Sequence, residues 1–295
     1  MIKQLIRQSL RFFPLKLIEW FVQFDSGSPL HRIGRLGLSN RDVTMTNGLG
    51  TGLKFNAGLS NPDYALGTNE LPVQQALASC LKPGDTFYDI GANVGFFTVI
   101  GAKLVGASGR VYAFEPAREN VAIIQRNIKL NNFHNVTVLE KAVSNSTGQG
   151  ELLLAEYAGG HTLLTAGTPP DLRGVVRVDL VAIDDLVAQQ TLPPPDVVKI
   201  DVEGAENDVL HGMSQTLQHF QPTIIYEVDD SDRESFKRKR QDIEEFIRSI
   251  GYKSTSLAEA YPAIGWHVGH AIAIPNNCML SPQVDNQESI GQSLS

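Results

Sequence analysis

The sequence is poor in the features that mark secreted, membrane-spanning and nucleic-acid-binding proteins. Its 295 residues include two cysteines, Cys80 and Cys278, too few for a disulfide framework or a cysteine zinc site, so a reducing compartment is expected. No apolar run approaches the roughly 20 residues of a membrane span. The net charge is −7 and the pI is about 5.5, which argues against nucleic acid as a partner. We therefore expect a globular, cytoplasmic protein.

The first 24 residues combine lysines and arginines with aliphatic and aromatic side chains. These charges interrupt the apolar core that a signal peptide needs. Two interpretations stay open. The segment could form a helix that packs on the domain or on a partner subunit, or a basic amphipathic helix that lies on an anionic membrane surface. Pro14 would divide or kink that helix in either case.

The two common phosphate-binding motifs, G-x-G-x-x-G and G-x-x-x-x-G-K-[ST], are also absent. An apolar run over 86–90 leads instead into Asp89-x-Gly91-x-x-x-Gly95. Glycines let a backbone turn sharply and approach a ligand closely. An acid at the end of a strand disfavours phosphate and suits a cationic or hydroxyl-bearing ligand. S-adenosylmethionine carries both an ammonium group and a ribose.

The second strand, 110–114, ends in Glu115, an acid placed to bind ribose hydroxyls. Strands and helices alternate beyond it, which predicts an α/β fold with a mostly parallel sheet and helices on both faces. Ligands in such sheets bind beyond the carboxyl ends of the strands. The candidate residues at or just after strand ends are Asp89, Glu115, Ala142, Asp201 and Glu227. They are therefore expected to converge on one rim of the sheet.

Changes in pattern along the chain divide it into three parts. Residues 1–60 are expected to form an N-terminal extension with a helix followed by irregular or strand-like structure. Residues 61–276 would form the catalytic domain, with a flap of two strands inserted at about 150–180. Residues 277–295 are expected to be a disordered tail. Within the domain, single helices are predicted over 207–218 and 243–250.

Four motifs together resemble one known family. They are Asp89-Ile90-Gly91-Ala92-Asn93-Val94-Gly95, then Phe114-Glu115-Pro116 with Asn120, then Gly159-Gly160-His161-Thr162, and Lys199-Ile200-Asp201-Val202-Glu203-Gly204-Ala205-Glu206. In this order and spacing the sequence resembles the FkbM-type S-adenosylmethionine-dependent methyltransferases, over about residues 70–275. The resemblance implies a class I methyltransferase fold with a seven-stranded, Rossmann-like sheet. It also implies O-methylation of a hydroxyl on a sugar or glycan, a polyketide or another secondary metabolite.

The resemblance also implies roles for individual residues. The methionine end of the cofactor would be lined by Asp89, Gly91, Asn93 and Gly95. The ribose would be held by Glu115, and the adenine would be flanked by Pro116 and Ala142. His161 stands where the family more often carries a small hydroxyl residue, so the resemblance fixes the reaction better than the acceptor.

Transfer of a methyl group to a hydroxyl requires that the hydroxyl lose its proton. Asp201 and Glu203 are the candidate catalytic residues, because residues two apart in an extended segment face the same side. One would take the proton while the other orients the acceptor or the cofactor. Capping of the next helix is the alternative for Glu203. His161 and Glu227 are candidate acceptor contacts.

His267 and His270 are three residues apart, but no third ligand is evident nearby, so no metal site is predicted. Two other functions stay open beside O-methylation of a small-molecule or glycan acceptor. One is methylation of an amine or of a macromolecule, and the other is a membrane-peripheral scaffold with a degenerate methyltransferase fold. The intact loop and both strand-end acids favour an enzyme. The sequence does not indicate the oligomeric state.

Overall fold

The structure is a computed structural model that describes residues 13–22, 24, 28–155, 160–166, 171–261 and 266–277. The strands are β1 Asp42–Thr44, β2 Lys54–Asn56, β3 Thr86–Ile90, β4 Arg110–Phe114, β5 Val136–Leu139, β6 Ala142–Val143, β7 Gly148–Ala155, β8 Thr162–Leu163, β9 Leu172–Val181, β10 Val197–Ile200, β11 Thr223–Asp230, β12 Tyr252–Ser256 and β13 His267–Pro275. The helices are α1 Leu15–Val22, α2 Pro29–Leu38, α3 Pro62–Leu66, α4 Leu71–Cys80, α5 Phe96–Val105, α6 Arg118–Leu130, α7 Ile183–Ala188, α8 Glu206–His211, α9 Ser214–Phe220 and α10 Arg233–Ser249.

A seven-stranded sheet in the order β12-β13-β11-β10-β3-β4-β5 forms the centre of the fold. The five strands from β11 to β5 in this order are parallel, and β13 is antiparallel to both of its neighbours. The chain winds outward from β3 through β4 to β5, then crosses to β10 on the other side of β3. This reversal opens a crevice at the carboxyl ends of β3 and β10. The arrangement confirms the predicted class I methyltransferase fold.

Apolar side chains cover both faces of this sheet. Successive residues of a strand point to opposite faces, so Phe87 packs in the layer with α4 and α5, whereas Tyr88 packs in the layer with α8, α9 and α10. Every residue of β10 is buried. Three of its four side chains are apolar, as is typical of a strand buried on both faces, and the fourth is Lys199.

The helices after β10 and β11 differ from those predicted. The segment predicted as one helix over 207–218 forms two helices, α8 and α9. A Cβ at Gly212 would lie 2.0 Å from the carbonyl oxygen of Ser144, and the Gly212 carbonyl accepts a hydrogen bond from the Asp184 backbone N–H at 2.9 Å. These contacts with residues from other parts of the chain stabilise the break between α8 and α9. The helix predicted over 243–250 is the last part of α10, which begins earlier, after the N-cap Asp232.

The predicted flap is part of a second sheet. Strands β7 and β9 pair antiparallel, as expected for a hairpin, and β6 and β8 extend them to four strands in the order β6-β9-β7-β8. Leu152 and Leu163 of this sheet pack with Ala142 and Ala205 next to the carboxyl ends of the central strands. The sheet therefore forms a wall of the crevice. Gly159 of the predicted motif lies outside the described residues.

Hydrogen bonds of the Asn127 side chain hold the hairpin of β1 and β2 against α6. Asn127 accepts a hydrogen bond from the backbone N–H of Asn56 at 2.7 Å and donates to the carbonyls of Asn56 and Val94. In α1, Ile18 is buried whereas Leu17 and Trp20 are exposed. In the part of the chain that the structure describes, no helix is long and apolar enough to cross a membrane. Residues 1–12 and the predicted tail from 278 onward lie outside that part.

Candidate active site

A cavity of about 240 Å³ opens at the carboxyl ends of β3, β4, β10 and β11. Its lining contains six carboxyl side chains, those of Glu70, Glu115, Asp201, Glu203, Glu227 and Asp229, together with Lys141 and His161. A cleft lined by charges of one sign attracts ligands of the opposite sign. The cavity therefore suits a ligand with positive charge, such as a sulfonium with an ammonium group.

Glu115 connects the ends of two neighbouring strands. Its Oε1 accepts a hydrogen bond from the Ala117 N–H, and its Oε2 accepts one from the Asn93 N–H, both at 2.8 Å. Burial raises the pKa of Glu115 to about 7, although these two backbone donors act in the opposite direction. The carboxylate lines the cavity with its position fixed by the backbone, as expected for a group that accepts hydrogen bonds from ribose hydroxyls.

The loop after β3 has three residues with left-handed backbone, Gly91 at a φ of 79°, Asn93 at 50° and Gly95 at 82°. A Cβ at Gly91 would lie 1.7 Å from the carbonyl oxygen of Asp201. A glycine is thus required at position 91 because the neighbouring loop lies so close, whether or not a ligand also approaches it. Asn93 lines the cavity, and its buried Oδ1 has no hydrogen-bond partner among the described residues. Such an acceptor is available to a ligand.

Asp89 and Gly95 do not line the cavity. Asp89 is buried, and its Oδ2 accepts a hydrogen bond from the Thr98 hydroxyl at 2.6 Å. Burial raises the pKa of Asp89, while the charge of Lys199 opposes this shift. Gly95 has a left-handed φ of 82° and begins α5. Direct contact of Asp89 or Gly95 with the cofactor remains a prediction. In the structure, both residues support the loop.

An apolar slot adjoins Glu115. Its lining residues include the predicted Pro116 and Ala142, and also Leu152, Leu163 and Ala205. The two leucines come from the second sheet, and the sequence indicated that sheet only as a flap. A mostly apolar lining next to a carboxylate suits an adenine next to its ribose. With the unpaired Asn93 oxygen and the negative charge of the cavity, the residues present fit S-adenosylmethionine.

Asp201 also lines the cavity and is held by an ion pair. Its Oδ2 lies 2.8 Å from Nζ of Lys199, a residue that is 3% exposed. Burial lowers the pKa of Lys199, but the charges of Asp201, Asp89 and Glu70 outweigh this effect and raise it well above its ordinary value. Lys199 therefore stays charged and keeps the Asp201 carboxylate in place.

Glu203 lies beside Asp201 in the cavity lining. Its backbone is left-handed, with a φ of 54°, and its carbonyl accepts a hydrogen bond from the Thr162 hydroxyl at 2.7 Å. Burial raises the pKa of Glu203 well above its usual range, and the nearby carboxylates of Asp229 and Asp201 raise it further. Neither Glu203 nor Glu206 caps α8 with its side chain, since the N-cap is Ala205 and has no side-chain cap hydrogen bond. The Glu206 side chain instead accepts a hydrogen bond from the Gly204 N–H before the helix.

Glu227 also lines the cavity, and His270 links it to Glu70, two residues that the sequence did not bring to it. His270 Nε2 lies 2.5 Å from Oε2 of Glu227 and 3.4 Å from Oε2 of Glu70. Burial lowers the pKa of His270, but the two carboxylates outweigh it and raise the pKa to about 10. Glu70 lies just before α4, far from Glu227 in sequence, and no local pattern marks it. His270 could have been identified only from the strand register.

His161 lines the cavity as a neutral side chain. Its Nδ1 accepts a hydrogen bond from the Ala155 backbone N–H at 3.0 Å, so the ring proton is on Nε2. Nε2 lies 3.5 Å from Oε1 of Glu119. Burial lowers the pKa of His161. The geometry suits a hydrogen-bond donor, as an acceptor contact requires, and does not suit a base at Nδ1.

Residues 89–254 match the model of the methyltransferase FkbM domain. The chain is 29% identical over 158 residues to hexuronic acid methyltransferase AglP of Haloferax volcanii, covering 53% of this chain and 61% of that protein. It is 25% identical over 178 residues to the 31-O-demethyl-FK506 methyltransferase FkbM of Streptomyces tacrolimicus, covering 52% and 68%.

The chain thus spans less than two thirds of the length of AglP. The crystal structure of methyltransferase FkbM from Methylobacillus flagellatus superposes with a TM-score of 0.46 at 17% identity, covering 88% of this chain and 58% of that one. The match to the domain model takes in both strand-end acids, the loop between them and the segment after β10. Because it extends over more than half of the sequence, the chain belongs to the FkbM family of S-adenosylmethionine-dependent methyltransferases.

Proposed function

We propose that this protein transfers the methyl group of S-adenosylmethionine to a hydroxyl group of a sugar, a glycan or a secondary metabolite. The observation that carries this proposal is that one cavity is lined by two kinds of groups. Glu115 and the neighbouring apolar side chains suit the cofactor. Asp201 and Glu203, with Glu227 nearby, form an acidic region for the acceptor, which we call the acidic end of the cavity. The names of AglP and FkbM, a hexuronic acid methyltransferase and a 31-O-demethyl-FK506 methyltransferase, support an acceptor of this kind.

When bound, S-adenosylmethionine supplies a methyl group that its sulfonium sulfur has already activated, so the chain must mainly align the reactants and remove a proton. Glu115, Asn93, Pro116 and Ala142 would hold the cofactor. Asp201 would take the proton that the acceptor hydroxyl loses when it receives the methyl group. The ion pair with Lys199 fixes the carboxylate for this step.

Glu203 and His161 would orient the acceptor rather than deprotonate it. The raised pKa of Glu203 favours the protonated form of its carboxyl group, and that form can donate a hydrogen bond to an acceptor oxygen. His161 has its ring proton on Nε2.

Calorimetric titration with S-adenosylmethionine and S-adenosylhomocysteine, without acceptor, tests cofactor binding. We expect the wild type and Glu151→Gln, an exposed control on β7, to bind both, and Glu115→Ala to bind neither. An acceptor screen with mass spectrometry then tests the site of methylation. Binding to neither compound would favour a degenerate scaffold, and methylation at nitrogen alone would favour the amine-directed alternative.

We also propose a cytoplasmic location, as two cysteines in 295 residues suggest. Contact with a membrane surface is a second candidate property, because Phe13, Leu17 and Trp20 are exposed near Lys16 at the start of the described chain. Flotation with anionic liposomes tests it. The full chain is expected to float and a variant without residues 1–24 is not. A full chain that never floats contradicts membrane contact.

A further inference from the structure

Three side chains from separate parts of the chain meet at the acidic end of the cavity. Glu227 of β11 and His270 of β13 are directly opposite each other in the antiparallel register, so their side chains leave the sheet on the same face. Glu70 precedes α4 with a left-handed φ of 45°. That conformation is costly for a residue with a side chain and is concentrated at functional sites.

Each of the three residues presents one ligand atom to a common point. These atoms, Oε2 of Glu70, Oε2 of Glu227 and Nε2 of His270, all lie within 4.8 Å of one another. Nε2 is 2.5 Å from the Glu227 oxygen and 3.4 Å from the Glu70 oxygen. Neighbouring ligands of an octahedral ion with bonds of about 2.1 Å lie about 3.0 Å apart. The two separations from Nε2 bracket this value, and the two carboxylate oxygens lie within 4.8 Å of each other.

Hydrogen bonds orient the Glu70 carboxylate toward this point. Its Oε1 accepts from the Tyr261 hydroxyl at 2.6 Å and from the Asn69 side chain at 2.7 Å. Its Oε2 is buried and has no hydrogen-bond partner among the described residues. Outer-shell donors of this kind fix the ligands of metal sites.

His270 Nε2 is likewise buried without a hydrogen bond in the described part of the chain. Both carboxylates are ion-pair partners of the ring when it is protonated. When the ring is neutral with a bare Nε2, this atom and Glu70 Oε2 are two buried acceptors with no hydrogen-bond donor among the described residues, and buried polar atoms usually have a partner.

We infer that Glu70, Glu227 and His270 bind a divalent cation. Two carboxylates and one imidazole form a mixed hard and borderline set that suits Mn²⁺ and neighbouring divalent ions. His267, the other half of the pair noted in the sequence, is not in this group. The sequence predicted no metal because the third ligand, Glu70, lies far along the chain from both of the others.

Glu70 and Glu227 line the cavity, whereas His270 lies behind them. The remaining positions of the ion would therefore face the acidic end of the cavity. Water or acceptor oxygens, such as two hydroxyls or a carboxylate of a sugar, would fill them. This use of the ion rests on the proposed function, but binding of the ion does not.

Titration of the full chain with Mn²⁺, followed by electron paramagnetic resonance of the free ion, tests the inference without any activity assay. We expect one bound ion per chain. Glu227→Gln and His270→Gln should each weaken binding by more than about 100-fold, because loss of even an outer-shell partner costs roughly 10–100-fold. The control Glu151→Gln makes the same chemical change at an exposed site and should bind Mn²⁺ as the wild type does.

Circular dichroism and titration with S-adenosylmethionine show whether each variant is folded. If one of the two glutamine variants does not fold, the other still tests the site. Absence of Mn²⁺, Mg²⁺ and Zn²⁺ binding to the wild type would overturn the inference, and a protonated His270 would then balance the two carboxylates. Mn²⁺ binding that survives both substitutions unchanged would also overturn it. Failure of the wild type to bind S-adenosylmethionine would contradict the proposed function and leave the cation site standing.

Discussion

The ammonium group of Lys199 lies 2.8 Å from Oδ2 of Asp201, two residues further along the chain. Lys199 is inside β10 and Asp201 follows the end of that strand, so both side chains leave the backbone on the same side. Nζ also lies 4.7 Å from the centre of the Phe97 ring. Lys199 is not among the residues that line the cavity, whereas the carboxylate that it holds is. Lys199 is therefore a positioning residue.

Removal of the lysine charge should destabilise the fold. Lys199→Met leaves Asp201 and Asp89 without their buried counterion, which typically costs roughly 3–5 kcal/mol. Urea unfolding measures the loss. Lys237→Met, which breaks the exposed pair with Glu234, should cost less than about 1 kcal/mol. The double variant Lys199→Met with Asp201→Asn should recover part of the loss, and equal losses in the two lysine variants would contradict a structural pair.

Substitution of Asp201 should separate catalysis from cofactor binding. With an acceptor in hand, Asp201→Asn is expected to lower kcat by about 10²–10⁴-fold, the usual contribution of a general base. The Kd for S-adenosylmethionine should change little. Asp242→Asn, at an exposed position of α10, serves as the matched control. If kcat and cofactor affinity fall together, Asp201 is a cofactor contact instead.

Cofactor affinity should depend on pH through Glu115. Its pKa is about 7 because it is buried, with the charge of Asp89 nearby, and the ionised form is the one that accepts hydrogen bonds from ribose. The ionised fraction of a group with a pKa of about 7 rises about tenfold between pH 6 and pH 8. Affinity for S-adenosylmethionine should rise by a similar factor. Calorimetry on Glu115→Gln should show weaker binding without this rise, and an unchanged pH profile would assign the effect to another group.

Gly91→Ala should disturb both loops at the rim. The added Cβ would lie 1.7 Å from the Asp201 carbonyl oxygen, in a backbone with a φ of 79°. We expect a stability loss of more than about 1–3 kcal/mol, the cost of backbone strain alone, together with weaker cofactor binding. Gly52→Ala isolates the strain, because Gly52 has a φ of 88° and no atom within 4 Å of its Cβ position. Equal effects of the two substitutions would show that the contact with Asp201 is unimportant.

The parts of the fold that the sequence predicts well depend on local information. The apolar strand, acid and glycine turn at 86–95 specify their conformation within a few residues, and the strand that leads to Glu115 repeats this pattern. The break between α8 and α9 could not be predicted from local sequence. Gly212 fits a helix interior by sequence, and the chain turns there because of contacts with Ser144 and Asp184.

The candidate site was predictable to a similar extent. Each acid at the end of a parallel strand reaches the rim by topology alone, as Asp201 and Glu227 do. His270 joins them only through its register against β11, and Glu70 only through the docking of the segment before α4. Tyr261 becomes relevant because it orients Glu70. None of these three relationships leaves a pattern within a short stretch of sequence.

The place of β13 between β11 and β12 has a consequence for synthesis on the ribosome. β12 emerges before β13, yet it pairs only with β13 among the described strands, so it has no sheet to join when it first leaves the exit tunnel. Over the same interval the edge of β11 is unpaired, so Glu227 lacks its neighbour His270. The acidic end of the cavity is thus completed late in synthesis, when β13 pairs with β11. The loop after β3 and strand β4, which suit the cofactor, leave the exit tunnel much earlier.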